Sequence, residues 1–224
     1  MSANLAAPGQ SRQQILDRIR VATRPVAQNA PQLPDAYAAL PRNYIRHGAL
    51  PALARIALMI ERLREYDADV VESSLGALPA AIATQLAASG KHTFVAPPGL
   101  PTEWLAAGFG WKIDNSLTTA EIERAEGVVT EAFCGVADSG TIVLHHGPAE
   151  GRRVLTLLPD WHLCILRASQ VVETLPEYFD RCQQRPVLAT TISGPSATAD
   201  IEMTRIKGVH GPRFLHVILV RDEI

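Results

Sequence analysis

The stretch Thr191–Val220, TISGPSATADIEMTRIKGVHGPRFLHVILV, decides how this chain is read. It opens as a β-branched strand and stops at Gly194-Pro195. It resumes near Ser196 or Thr198 with residues suited to a helix start, and Gly208 reads as that helix's C-cap. After His210-Gly211-Pro212 the run Phe214–Val220 is apolar enough for a strand covered on both faces. Strand, turn, helix, turn, strand is the unit from which parallel sheets are built.

The same alternation appears upstream. Leu53, Ile56, Ala57, Ile60 and Leu63 recur at helical spacing between Leu50 and Tyr66, and Val70-Val71 follow as a short strand. A second helix is expected from about Pro79 to Gly90, then a strand in HTFVAP. TTAEIERAEGVV, capped at Thr118 or Thr119, and LPEYFDRC read as further helices. SGTIVLHH, RVLTLL, WHLCILRASQVV and PVLATTIS read as strands. The fold class expected is α/β: three layers, a mostly parallel sheet with helices on both faces.

SRQQILDRIR forms a helix with Ser11 as N-cap, and a Pro-rich run follows to about Gly48. The division expected is an N-terminal helix and arm over residues 1–48 and an α/β domain over residues 49–224. The helix carries an apolar face, so docking on the domain or on a partner is expected.

Composition narrows the functional classes. Of 224 residues 47% are hydrophobic, enough for a core, and the net charge of −2 does not suggest nucleic acid. No apolar run is long enough to span a bilayer, and the N-terminus lacks the pattern of a signal peptide, so a cytoplasmic location is expected. Three scattered cysteines, Cys134, Cys164 and Cys182, lack the spacing of a disulfide framework, a zinc site or an iron–sulfur cluster. His145 and His146 are adjacent, and neighbours on a strand point to opposite faces, so they do not chelate together. No metal site is expected.

Three motifs can carry chemistry. In GVADSGTIVL the turn Asp138-Ser139-Gly140-Thr141 offers hydroxyls and backbone N–H groups to a carboxylate or phosphate; it serves equally as a tight turn leading into a strand. In ISGPSATADIE a helix N-terminus following Ser193, Gly194 and Ser196 supplies unsatisfied N–H groups and partial positive charge. Asp200 and Glu202 there either stabilise the helix through its dipole or serve as acid, base or hydroxyl ligand. In RIKGVHGPR, His210 sits between Gly208 and Gly211-Pro212, with Arg205, Lys207 and Arg213 nearby. Ser139, Thr141, Ser193, Ser196 and His210 are expected around one anion site beyond the C-terminal ends of the strands. Ser139 and Thr141 precede their strand, so for the site to close that strand must run antiparallel to its neighbours or the turn must fold over the top.

The three motifs, in this order and spacing, resemble the LUD domain of the lactate utilization protein C (LutC) family. Ala137–Thr141, Ser193–Glu202 and Gly208–Pro212 carry the resemblance, with ILDRIR and LPTEWL in support. Asp138 stands where that family commonly has Glu. The resemblance implies a fold like the NagB/RpiA/CoA-transferase group. It also implies a role in oxidising L-lactate to pyruvate beside partner subunits that hold iron–sulfur clusters, with no cofactor bound by this chain alone. Asp138, Glu202 and His210 are the catalytic candidates; Ser139, Gly140, Thr141, Ser193, Gly194, Ser196, Asp200, Lys207, Gly208 and Gly211 are the ligand-binding candidates. The alternative is an autonomous transferase- or ligase-type enzyme using the same pocket for a CoA- or nucleotide-like ligand.

Overall fold

The computed structural model describes residues 8–22, 37–182, 186, 188–198, 206–208 and 211–222. The chain divides into two units, Met1–Tyr44 and Ile45–Ile224.

The first unit contains helix α1 (Pro8–Ala22). It begins three positions before Ser11, with Pro8 where its missing N–H costs nothing. Asp17 and Arg20 pair at 2.8 Å on its surface, and Ile15 and Ile19 are exposed.

The second unit is built on a six-stranded parallel sheet. Its strands are β1 (Asp69–Ser74), β2 (Thr93–Ala96), β3 (Gly110–Ile113), β4 (Gly127–Glu131), β7 (Trp161–Arg167) and β12 (Phe214–Arg221), in the order β1-β12-β7-β4-β2-β3. Alternation along β12 sends Leu215, Val217 and Leu219 to one face and Ile218 and Val220 to the other. On the second face lies helix α3 (Leu78–Ala88), which buries Leu78, Ile82 and Leu86 against Phe94, Val129 and Trp161. Gly127 is required there, because an added Cβ would fall 2.8 Å from the Phe94 ring and 2.9 Å from Trp161.

The first face is covered by helix α2 (Ala52–Glu65), through Ile56, Met59, Ile60 and Leu63, and by a smaller sheet. That sheet comprises β5 (Cys134–Val136), β6 (Thr141–Leu144), β8 (Val171–Val172) and β9 (Thr190–Ile192), ordered β8-β5-β6-β9. Helix α5 (Leu175–Arg181) closes its outer side with Tyr178. The parallel α/β sheet covered on both faces is as expected; a second sheet shares one face with α2.

Several expectations change at the level of elements. RVLTLL is a 3-10 turn over Arg153–Thr156 instead of a strand. WHLCILRASQVV is two strands in two sheets, β7 and β8, separated by a 3-10 turn at Ala168–Gln170. TTAEIERAEGVV holds only one short helix, α4 (Thr119–Glu123), closed by a capping box between Thr118 and Glu121, and its GVV already belongs to β4.

Candidate functional site

Strand β6 runs antiparallel to β9, with Ile142 opposite Ile192. That direction meets the condition set by the sequence, since the residues before β6 lie beside those after β9. The Thr141 and Ser193 hydroxyl oxygens are 2.8 Å apart, and the Ser139 hydroxyl is 2.7 Å from Thr141. Both turns rest on the end of α2. Gly140 (φ +58) leaves 2.7 Å between an added Cβ and that of Arg62; Gly194 (φ +82) leaves 2.5 Å to the Cβ of Tyr66. Any side chain at either position meets both left-handed backbone and a steric clash.

The Ser193–Ser196 turn is tied to the loop after it. The Ser196 N–H donates to the Pro212 carbonyl at 2.9 Å, and the Gly208 N–H donates to the Ser196 carbonyl at 3.0 Å. A Cβ on Gly211 would lie 3.7 Å from that of Ser196, so this segment packs directly on the turn. Ala197–Thr198 forms a strand, β10, paired antiparallel with β11 (Ile206–Lys207), Ala197 opposite Lys207. This corrects the helix start expected at Ser196 or Thr198: Ala197–Thr198 is strand, paired with a segment about ten residues further on. Asp200, Glu202 and His210 lie outside the described residues.

Between these turns and the main sheet lies a cavity of about 510 Å³. Thr190–Ala197 form one wall, Arg153, Thr156 and Leu157 another, and His162, Pro212 and Leu215 the floor. His162 and Leu215 are the second residues of β7 and β12, so the cavity opens at the N-terminal ends of these strands. This corrects the expected location at the C-terminal ends. The turn after β9 of the smaller sheet meets here the segments that lead into β7 and β12. Ser193, Gly194 and Ser196 line the cavity. Thr141 and Ser139 reach it only through the hydroxyl chain, and Asp138 is exposed, with its N–H on the Glu173 carbonyl at 3.0 Å.

Charge and protonation follow from burial. Arg153, an exposed residue, brings a cationic side chain to the lining of the cavity. His162 is buried, and loss of hydration pushes its imidazole down to about 3, so it is neutral and pairs with the Thr130 hydroxyl at 2.8 Å.

Sequence reasoning missed the residues of the HHGPAEG loop. His146 has φ +61, and its ring lies between the Gly151 carbonyl (Nδ1, 2.9 Å) and the Thr190 hydroxyl (Nε2, 2.9 Å). His145 points elsewhere, stacked on Phe133 at 3.7 Å with Nε2 2.8 Å from the Tyr178 hydroxyl. The Glu150 carboxylate accepts the His145 N–H, and burial pushes its carboxyl up. The available signal was a histidine and a carboxylate each followed directly by a glycine, His146-Gly147 and Glu150-Gly151.

The cysteines do not suit an iron–sulfur cluster. Cys134 and Cys164 are fully buried free thiols, pushed up to about 11 and about 12 by burial. Cluster ligation needs thiolates that converge. Among the described residues no group of three His, Cys, Asp or Glu side chains is placed to hold a metal, and no helix is long and apolar enough to cross a membrane.

A parallel sheet carrying a smaller mixed sheet, with Gly- and Ser-rich turns closing a hydroxyl-lined cavity between them, defines an α/β domain. The LUD domain pattern matches residues 60–220, and the chain belongs to the LUD domain family. Among its relatives, lactate utilization protein C of Deinococcus radiodurans is 39% identical over 166 residues, 71% of this chain and 76% of that protein. Lactate utilization protein C of Bacillus subtilis is 34% identical over 135 residues, 55% of this chain and 56% of that protein. A crystal structure of a DUF162 family protein from Deinococcus radiodurans matches with a TM-score of 0.66 at 33% identity, covering 77% of this chain and 99% of that one.

Proposed function

We propose that this chain is a cytoplasmic subunit of a lactate-utilization system that oxidises L-lactate to pyruvate, and that it binds a small carboxylate in the cavity. The iron–sulfur clusters of such a system belong to partner subunits. The names of the relatives support the lactate role, and the buried, scattered cysteines support placing the clusters elsewhere. The observation that carries the ligand reading is the meeting of Arg153 with Ser193 and Ser196 in one cavity. A guanidinium and hydroxyls are the donors a carboxylate requires. Calorimetric titration with lactate and pyruvate tests this: Arg153→Gln weakens binding about tenfold, as loss of a charge-assisted hydrogen bond does. Co-purification of Cys-rich subunits from the native host tests the assembly.

The size of the cavity favours a second reading. About 510 Å³ lies within the roughly 300–1,000 Å³ typical of sites for drug-sized molecules, more than a three-carbon acid needs. In that reading the chain is an autonomous transferase- or ligase-type enzyme with a CoA- or nucleotide-like ligand. A thermal shift with acyl-CoA or ATP, and none with lactate or pyruvate, selects it.

A further inference from the structure

We infer that Thr190, held by His146, is the residue with which the cavity recognises a ligand hydroxyl, so that the site selects a 2-hydroxy acid over the corresponding 2-oxo acid. This rests on the reading that the cavity takes a small carboxylate.

The argument starts from what each atom can do. The Gly151 carbonyl is only an acceptor, so His146 Nδ1, 2.9 Å away, carries the hydrogen. In the neutral ring that leaves Nε2 as an acceptor, and the partner at 2.9 Å, Thr190 Oγ1, must donate to it. The single hydrogen of the Thr190 hydroxyl is therefore committed to His146. Its oxygen retains lone pairs and nothing to donate. Thr190 lines the cavity, so that wall presents a hydrogen-bond acceptor. A ligand hydroxyl satisfies it; a ketone oxygen, itself only an acceptor, leaves both groups unpaired.

The loop is built to hold this arrangement. His146 is a non-glycine residue with φ +61, a conformation retained only where the surroundings enforce it. Gly151, the ring's other partner, has φ +73, and a Cβ there would fall 2.6 Å from Leu155 Cδ1, so its carbonyl is held in place by packing. The Gly151 N–H returns to the Gly147 carbonyl at 2.8 Å, which closes the loop. Thr190 is fixed from the other side by pairing with Leu144, two residues before the histidine. His146 and Gly151 are positioning residues, and Thr190 is the group that meets the ligand.

The test is calorimetric titration of the full chain with L-lactate and with pyruvate, comparing wild type, Thr190→Val, Thr190→Ser and His146→Phe. The quantity read is the ratio of the two affinities, which a merely structural role would not move. Wild type is expected to bind lactate about fivefold or more tightly than pyruvate. Thr190→Val and His146→Phe should each bring the ratio close to one, while Thr190→Ser preserves it. Equal affinities in wild type, or an unchanged ratio in Thr190→Val, would overturn the inference and leave the carboxylate site standing. Absence of binding by both acids would overturn the carboxylate reading and the inference together. Thr190→Val and His146→Phe remove the same arrangement from opposite sides, so where one fails to fold the other decides: a ratio unchanged in the folded variant overturns the inference.

Discussion

The hydroxyl of Thr141 lies 2.8 Å from that of Ser193, 52 positions later in the chain, and joins two turns that the sequence shows as separate motifs. Thr141 is buried and also contacts the Ser139 hydroxyl at 2.7 Å. Thr141→Val keeps the shape and removes both contacts. The two serines are exposed enough to turn to water, so the expected loss of stability is about 1 kcal/mol. Urea unfolding measures it; an unchanged midpoint would show that the hydroxyl chain contributes nothing.

Gly194→Ala should cost more. The alanine would have to keep φ +82 and its methyl group would meet Tyr66 at 2.5 Å, so strain and overpacking act together, roughly 2–4 kcal/mol in all. Thermal unfolding should show a fall of several degrees. A variant as stable as wild type would mean that the turn and the end of α2 are further apart than described.

Acid should weaken the fold in two stages. The neutral His162 ring, held at about 3, has an unfolded value of roughly 6.5. Its folded value is depressed, so its contribution is complete above about 6.5 and is lost as pH falls toward 3. Asp114 acts lower. The Arg152 guanidinium, bonded to both carboxylate oxygens at 2.8 and 2.6 Å, holds its carboxyl below the ordinary range. That contribution is complete above roughly 3.9 and is lost below it. Stability measured between pH 6 and pH 5 should fall more steeply in wild type than in His162→Phe, by up to about 1.4 kcal/mol per pH unit. Equal slopes would show that His162 takes up its proton in the folded state.

Thiol chemistry should be selective. Burial keeps Cys134 and Cys164 protonated, whereas Cys182 is half-buried at the end of α5. Iodoacetamide at mild alkaline pH should modify Cys182 first in the native protein, and all three after unfolding. Rapid native labelling of Cys164 would contradict the burial described.

The parallel sheet was legible because its strands announce themselves locally. Phe214–Val220 and HTFVAP are apolar and β-branched, and each is separated from its neighbours by turn residues. The α2 stripe was legible for the same reason, although Met59 is buried and Leu53 is exposed, a rotation of the face that spacing alone does not fix. What the sequence hid was which segments pair. Ser196-Ala197-Thr198 carries residues that cap helices and enter ribbons equally well, and only Ile206–Lys207 decides between them. The site was half legible. Glycines with positive φ marked the turns at Gly140 and Gly194, whereas Arg153 and Thr190 enter the cavity through tertiary placement that no local pattern encodes.

The position of β12 has a consequence for how the molecule comes into being. Residues 214–221 lie between β1 and β7, so the sheet has a gap beside its central strand until they arrive. Synthesis proceeds from the other end. A ribosome must therefore release nearly the whole domain before β1 can join the rest of the sheet. Stalling or proteolysis just upstream of Phe214 would leave a chain with two unpaired strand edges, on β1 and on β7, a natural target for chaperones and a route to exchange of this strand between copies.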